Sequence, residues 1–171
     1  MAENETQSDP FGSQPNGADN GPAIGLIAQY VKDLSFENPN APGVYQMQAQ
    51  PNIDVQFNIA VTQPADDVHE VAMKIEIRAE AEGTNTTLFA VELLYAGLFG
   101  ARNVPEEQLR PFLYGEAPRL LFPFARRVVA EAVRDGNFPP LLLDPIDFSG
   151  LYAAQAAQAD QLAAGEPAGE A

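Results

Sequence analysis

The chain has 171 residues, of which 24 are acidic and 9 basic, giving a net charge of −15. That length is enough for one domain with its own core, and the negative charge disfavours nucleic acid because phosphate binding needs clustered lysine and arginine. The chain contains no cysteine, which excludes disulfides, thiol catalysis and cysteine-based metal sites. Its first residues lack a basic, apolar leader and no run is long enough to cross a bilayer, so we expect a cytoplasmic protein without direct membrane insertion.

Both ends of the chain differ in composition from its middle. Residues 1–22 are polar, with four acidic residues and no basic one, and predict a disordered acidic tail. Residues 153–171 contain three acidic residues and no basic one, and predict the end of a helix followed by a flexible acidic tail. One folded domain is therefore expected over residues 23–152.

Alternating apolar residues predict four strands in the first half, at residues 24–36, 53–62, 70–80 and 88–99. Residues 37–52 are bracketed by prolines and predict a crossover loop, whereas residues 82–85 predict a hairpin turn. In the first strand Val31, Asp33 and Glu37 share one parity, so both acids are expected to face the same way. In the fourth strand Glu92 is expected opposite the apolar face.

Helices are predicted in the second half. Residues 106–114 form a short helical segment interrupted by Pro111. A longer helix follows Pro118 and stops at Gly136 as its C′ residue, and Pro123 either kinks this helix or marks its true start. Residues 138–148 form an apolar loop pinned by prolines, and residues 148–162 form a last helix. Four strands followed by helices predict an α+β fold with helices packed on one face of a four-stranded antiparallel sheet.

Patterns that would indicate catalysis are weak or absent. His69 is the chain's one histidine and shares the parity of apolar residues, so we expect it to point towards the core. Residues 97–100 lack the lysine of a phosphate loop, and the pair Asp66 and Asp67 is typical of a turn. We therefore predict a binding protein that is not an enzyme and needs no cofactor or metal.

Charge and aromatic residues indicate where binding would occur. Residues 23–99 hold ten acids against three bases, whereas residues 100–152 hold seven against six. The acidic half is either a solubilising surface or a docking face for a basic protein. Aromatic residues near the irregular segments are either core residues or the wall of a binding site: Tyr45, Phe89, Phe138 and Tyr152.

Three long segments carry a resemblance to a known family. Residues 118–126 (PRLLFPFAR) with 136–148 (GNFPPLLLDPIDF), residues 32–42 (KDLSFENPNAP) and residues 65–71 (ADDVHEV) resemble recurrent segments of the SecB protein-export chaperones. The similarity covers roughly residues 24–152.

This resemblance implies a homotetrameric holdase, built as a dimer of dimers, that keeps unfolded preproteins translocation-competent and delivers them to the SecA motor ATPase. It implies a client groove that includes Tyr45, Phe89, Phe138, Leu141 and Tyr152. It also implies a SecA docking face that includes Asp33, Glu37 and Glu92. Where the family often has a tryptophan in the crossover loop, this chain has Ala49 or a neighbour, which implies a shallower subsite.

Two other functions agree with the same sequence. One is a SecB-like chaperone dedicated to a toxin–antitoxin pair, which its clients would identify. The other is an acidic adaptor that binds one folded basic protein and would prefer native partners to unfolded ones.

Overall fold

The structure is a computed structural model and describes residues 20–164. Residues 1–19 and 165–171 of the two predicted tails lie outside the described residues. Residues 153–164, assigned to the second tail, form the end of a helix.

Four long antiparallel strands form one sheet: β1 (Ala23–Glu37), β2 (Pro51–Ala65), β3 (Val68–Ala81) and β4 (Thr87–Arg102). Their order across the sheet is β1-β4-β3-β2, so the chain must pass from one edge of the sheet to the other between β1 and β2. The predicted crossover loop is thereby confirmed. It contains a single short 3₁₀ turn, Gly43–Gln46.

The helices follow the strands: α1 (Glu106–Pro111), α2 (Ala117–Asp135) and α3 (Phe148–Ala164). The expected break after α1 is absent, because a π-helical turn at Phe112–Glu116 joins α1 directly to α2. Pro118 has no N–H to donate to Tyr114, and the chain absorbs this mismatch in a wider turn in which the Ala117 N–H reaches the Phe112 carbonyl. Helix α2 continues through Pro123, so this proline does not mark its start.

A single core lies between the sheet and α2, as the predicted α+β fold requires. On β3 the inward residues Val71, Met73 and Ile75 are fully buried, and Leu93 on β4 and Leu121 on α2 meet them from their own apolar faces. Buried apolar residues alternate along the strands and recur at helical spacing along α2. Both sets lie in the same interface, and their burial stabilises it. Helices therefore cover one face of the sheet and leave its outer face free for polar residues.

The end of α2 differs from its prediction. Gly136 has φ of −76°, and the left-handed C′ residue is Asn137, with φ of 63°. The Asn137 N–H donates to the Arg134 carbonyl (2.9 Å) and the Phe138 N–H to the Val133 carbonyl (3.3 Å), which is a Schellman arrangement. Gly136 is needed for a different reason, since a Cβ there would collide with the ring of Phe36.

The sequence predicted that Val31, Asp33 and Glu37 point to the same face of β1. The structure confirms this for the two acids, but Val31 points to the other face. A bulge at Lys32 shifts the register, so that Val31 lies opposite Tyr95 whereas Asp33 lies opposite Leu94. Tyr95 is on the buried, helix-facing side of β4 and Leu94 on the outer side. Asp33 and Glu37, both beyond the bulge, share the outer face.

His69 and Asp67 lie where the sequence predicted them, on the core side of a strand and in a turn. His69 lies opposite Phe99 on the side of β3 that Val71 occupies, and it is half-buried. Asp67 takes a left-handed conformation (φ 56°) in the turn between β2 and β3. Within residues 20–164 no group of three or more histidine, cysteine, aspartate and glutamate side chains comes together as a metal site.

Candidate functional site

An apolar pocket of about 470 Å³ lies at one end of β2, and we call it the main pocket. Its walls come from four places in the chain: the crossover loop, the start of β2, the start of β4 and the loop after α2. Apart from Asn137, the residues that line it have apolar or aromatic side chains: Val44, Tyr45, Met47, Ala49, Pro51, Ile53, Leu88, Phe89, Phe138, Pro139, Pro140 and Leu141.

Aromatic rings hold these separate segments together. Phe36 of β1 stacks on Phe89 of β4 with ring centroids 6.2 Å apart, and Phe89 contacts Phe138 at 5.0 Å. Phe138 in turn contacts Tyr45 of the crossover loop at 5.6 Å. The result is one aromatic row from the sheet to the crossover loop, of which Phe89, Phe138 and Tyr45 line the main pocket.

Four of the five predicted groove residues line this pocket: Tyr45, Phe89, Phe138 and Leu141. Their exposure differs, because Phe89 is only 4% exposed whereas Tyr45 is 43% exposed. Phe89 is therefore at once a core residue and the floor of the pocket. Tyr45 is a wall residue that solvent reaches.

The fifth predicted residue, Tyr152, lies in a second pocket of about 150 Å³. Its ring stacks on Tyr114 with centroids 5.6 Å apart and planes 12° apart. Sequence reasoning missed Tyr114, whose direction is set by the π-helical turn. That turn also brings Gly115 so close to α3 that a Cβ would lie 2.7 Å from Ser149 Oγ.

The edge of β2 connects the two pockets. Ile53 lines the main pocket, and Phe57 and Ile59 line the second one. Ile53 and Phe57 are four residues apart, or about 13 Å along a strand. Among the four strands of the described chain β2 pairs with β3 alone, so its other side offers main-chain donors and acceptors between the pockets.

On the outer face of the sheet, the three predicted docking acids come together. Ser35 lies opposite Glu92, Asp33 opposite Leu94 and Glu37 opposite Ala90. Asp33 and Glu37 are therefore the two diagonal neighbours of Glu92, each about 7–8 Å away in such a ladder. We call this group the acidic face.

Glu76 is a fourth member of the acidic face that the sequence analysis did not single out. It lies directly opposite Glu92 in the β3–β4 ladder and is bonded to Lys74 at 2.8 Å. Like charges directly opposite each other in a ladder are unfavourable. Only the register between β3 and β4, which includes a shift after Ala79, reveals the pair.

A polar cluster beside the acidic face ties β1 to β3. Glu70 accepts hydrogen bonds from the Tyr30 hydroxyl (2.6 Å) and from Lys32 Nζ (2.8 Å). The Lys32 bond, then the Tyr30 bond, lower the pKa of Glu70, and the bond to Glu70 together with burial raises the pKa of Tyr30 to about 12. Since Lys32 is the bulged residue, this cluster fixes the point where the register of β1 changes.

Comparison with known proteins identifies the family. The family model described as preprotein translocase subunit SecB matches residues 17–159. The chain belongs to the SecB family. A protein-export protein SecB from Rhizorhabdus wittichii is 67% identical over 91% of this chain and 93% of its own length. Another SecB, from Sphingopyxis alaskensis, is 61% identical over 92% of both chains.

A solved structure supports the same fold at low sequence identity. A SecB-like chaperone of Mycobacterium tuberculosis, in complex with a peptide from the HigA1 antitoxin, superposes with a TM-score of 0.60. It is 20% identical, and the match covers 72% of this chain and 90% of that one. In residues 20–164 of this SecB family member, no helix is long and apolar enough to span a membrane.

Proposed function

We propose that this SecB family member is a non-catalytic chaperone of protein export, which binds unfolded preproteins and delivers them to the SecA motor in the cytoplasm. One observation carries the proposal: an apolar pocket and a second aromatic pocket flank the free edge of a long strand. An unfolded chain offers what this arrangement can bind, namely apolar side chains and unpaired backbone.

Binding follows from the geometry of β2. An extended client segment placed beside β2 would add main-chain hydrogen bonds without regard to sequence, and alternate side chains would enter the main and second pockets. Client residues about 13 Å apart would occupy both pockets at once. A protein that binds the unfolded chain and not the folded one delays folding by mass action, so no nucleotide is needed.

Delivery of the client to the motor would use the outer face of the sheet, which the helices do not cover. The acidic face carries Asp33, Glu37, Glu92 and Glu76 on the side that the helices leave open. A basic surface of the SecA motor is the complementary partner, and charge pairs at such a surface act mainly on the association rate. The motor would therefore bind the outer face of the sheet, whereas the client would bind along the β2 edge and in the two pockets beside it.

Self-association to a tetramer would multiply the client sites. β1 is the other edge of the sheet and exposes Leu26, Ile27, Val31 and Leu34, and α2 exposes Leu120 and Phe124. Large apolar residues grouped on an edge strand and on one helix are typical of surfaces that pair with another subunit. Several weak grooves on one assembly would hold a long client by avidity.

The proposal can be tested with a fluorescent residue placed in the main pocket. The chain contains no tryptophan, and Ala49 lines the pocket, so Ala49→Trp supplies a single indole at the proposed site. Adding a reduced, unfolded client should shift the indole emission saturably, and adding the same protein in its native form should not.

A matched reporter controls for effects away from the pocket. Leu162→Trp places the indole on the exposed last turn of α3, outside the lining of both pockets. Its emission should respond to client less than that of the Ala49 reporter. A response to native protein alone would instead support an adaptor for a folded partner and contradict the chaperone proposal.

A further inference from the structure

Two side chains of the crossover loop, those of Tyr45 and Asn38, tie it to the end of α2. The Tyr45 hydroxyl donates to the Gly136 carbonyl (2.9 Å) and accepts a hydrogen bond from Asn38 Nδ2 (2.6 Å). Asn38 Nδ2 also lies 3.4 Å from the same carbonyl. We call Asn38, Tyr45 and the Gly136 carbonyl the latch.

The other anchors of the crossover loop lead to the sheet. Asn40 Nδ2 donates to the Thr87 carbonyl (2.9 Å), the Val44 side chain is buried at 4% exposure, and the Gln50 carbonyl accepts from the Glu82 N–H (2.9 Å). These contacts fix the base of the loop. The latch instead ties the loop to the end of α2, next to the Asn137–Leu141 segment that also lines the main pocket.

The closed latch is only moderately stable. Asn38 Oδ1 is buried without a hydrogen-bond partner in the described part of the chain, which costs free energy that an opened, hydrated loop would recover. Tyr45 is 43% exposed, so water can compete for its hydroxyl. Its ring still packs on Phe138, and loss of the hydroxyl alone would leave that contact in place.

We propose that Asn38 and Tyr45 are positioning residues that set the width of the main pocket, and with it the size of the client side chain that the pocket accepts. The inference rests on the proposed function for the identity of the ligand. Tyr45 then has two roles, because its ring is pocket wall and its hydroxyl holds that wall in place. With the latch open, the crossover loop moves away from the Asn137–Leu141 wall and larger rings enter.

The first measurement uses the full chain without any client. Hydrogen exchange is followed at the crossover-loop amides of Val44, Tyr45 and Met47, which donate within the loop. Tyr45→Phe should speed their exchange roughly twofold to tenfold, the factor that one net hydrogen bond contributes. Tyr152→Phe is the matched control, since it removes a tyrosine hydroxyl from the second pocket, and it should leave these amides unchanged.

The second measurement tests side-chain selection. Three fluorescent twelve-residue peptides with alternating apolar residues differ only at one apolar position near the middle, which is Ala, Leu or Trp. In the Tyr45→Phe variant the affinity for the Trp peptide relative to the Leu peptide should rise, by roughly the same twofold to tenfold. Asn38→Ala should also raise the Trp-to-Leu affinity ratio, but by less. Because the two residues act as one unit, the double variant should change this ratio by less than the two single effects added together.

The outcomes separate the latch from the proposed function. Unchanged exchange in Tyr45→Phe overturns the latch, and so does faster exchange with an unchanged Trp-to-Leu affinity ratio. If the unmodified protein binds none of the peptides, the proposed function fails, whereas the exchange data still decide whether the hydroxyl holds the loop. A cooperative melting transition shows that a variant is folded, and Asn38→Ala takes the place of Tyr45→Phe if Tyr45→Phe does not fold.

Discussion

At the scale of single residues, several positions in this chain serve both the fold and the site. Phe89 is buried among core residues and is also the floor of the main pocket. Gly136 lets Phe36 pack against the end of α2 while its carbonyl receives the latch. Truncation of such a residue removes core packing along with the site, so informative variants must change exposed atoms such as the Tyr45 hydroxyl.

A residue-scale prediction concerns Tyr30 and pH. Its pKa is raised from 10 to about 12, chiefly by the hydrogen bond to Glu70. A group whose pKa is raised in the folded state stabilises it fully below the unfolded value, and this contribution is lost as pH rises through the folded value. The protein should therefore lose free energy of unfolding relative to Tyr30→Phe as the pH rises from about 10 to 12.

Chemical denaturation of the two proteins at several pH values measures this difference. At pH 8 the unmodified protein should be more stable by about 1 kcal/mol, the usual net value of one hydrogen bond. The advantage should shrink towards zero near pH 12. A difference that stays constant over the whole range would show that the bond between Tyr30 and Glu70 does not persist in solution.

At the scale of elements, sequence periodicity predicted which segments form strands and helices, but not the places where one residue is inserted. Period-two alternation needs only the local chain, and it located all four strands. The bulge at Lys32, the shift after Ala79 and the π-helical turn each add one residue without a clear sequence signal. Each of them changes which face the following side chains occupy.

The same distinction explains what was predicted of the site. Tyr45, Phe89, Phe138 and Leu141 line the main pocket, but the sequence pattern alone left its aromatic residues as either core or binding wall, and the family resemblance assigned all four to the groove. Tyr114 and Glu76 could not be predicted, because their directions depend on the π-helical turn and on the β3–β4 register. Tyr152 lies in the second pocket, and its role as a groove residue stays a prediction.

An element-scale prediction concerns the acidic face. The double variant Asp33→Asn with Glu92→Gln removes two charges from diagonal neighbours on adjacent strands. It should slow association with the SecA motor roughly tenfold at low ionic strength, and less at high ionic strength, because salt screens such steering. Stopped-flow measurement at two salt concentrations would give both values.

The control for this variant removes equal charge from another part of the molecule. Glu106→Gln with Glu107→Gln changes two acids in the first turn of α1, on the helical side of the sheet. Its association rate should fall far less, and neither double variant should change affinity for a client peptide. Equal slowing by the two variants would mean that net charge, and not the acidic face, governs the encounter.

At the scale of the whole molecule, the two edge strands are expected to have different functions, subunit pairing for β1 and client binding for β2. β1 exposes Leu26, Ile27, Val31 and Leu34, whereas β2 carries the pockets. If β1 pairs with another subunit and β2 with client, the assembly loses one aggregation-prone edge and keeps the other for function. On this proposal the outer face would stay open to the motor in each subunit.

The last prediction separates these edges with one type of substitution. Val31→Lys places a charge on the β1 edge, where Val31 is 43% exposed, and Ile53→Lys places one on the β2 edge, where Ile53 is 36% exposed. By light scattering at micromolar concentration the unmodified protein and Ile53→Lys should be tetramers, and Val31→Lys should be smaller, because an edge lysine opposes strand pairing.

Peptide affinity should fall in Ile53→Lys alone, since Ile53 lines the main pocket. Long unfolded clients should bind Val31→Lys on the order of a hundredfold more weakly, since fewer linked grooves remain. A monomeric unmodified protein, or a Val31→Lys variant that stays tetrameric, would contradict the assignment of β1 to assembly.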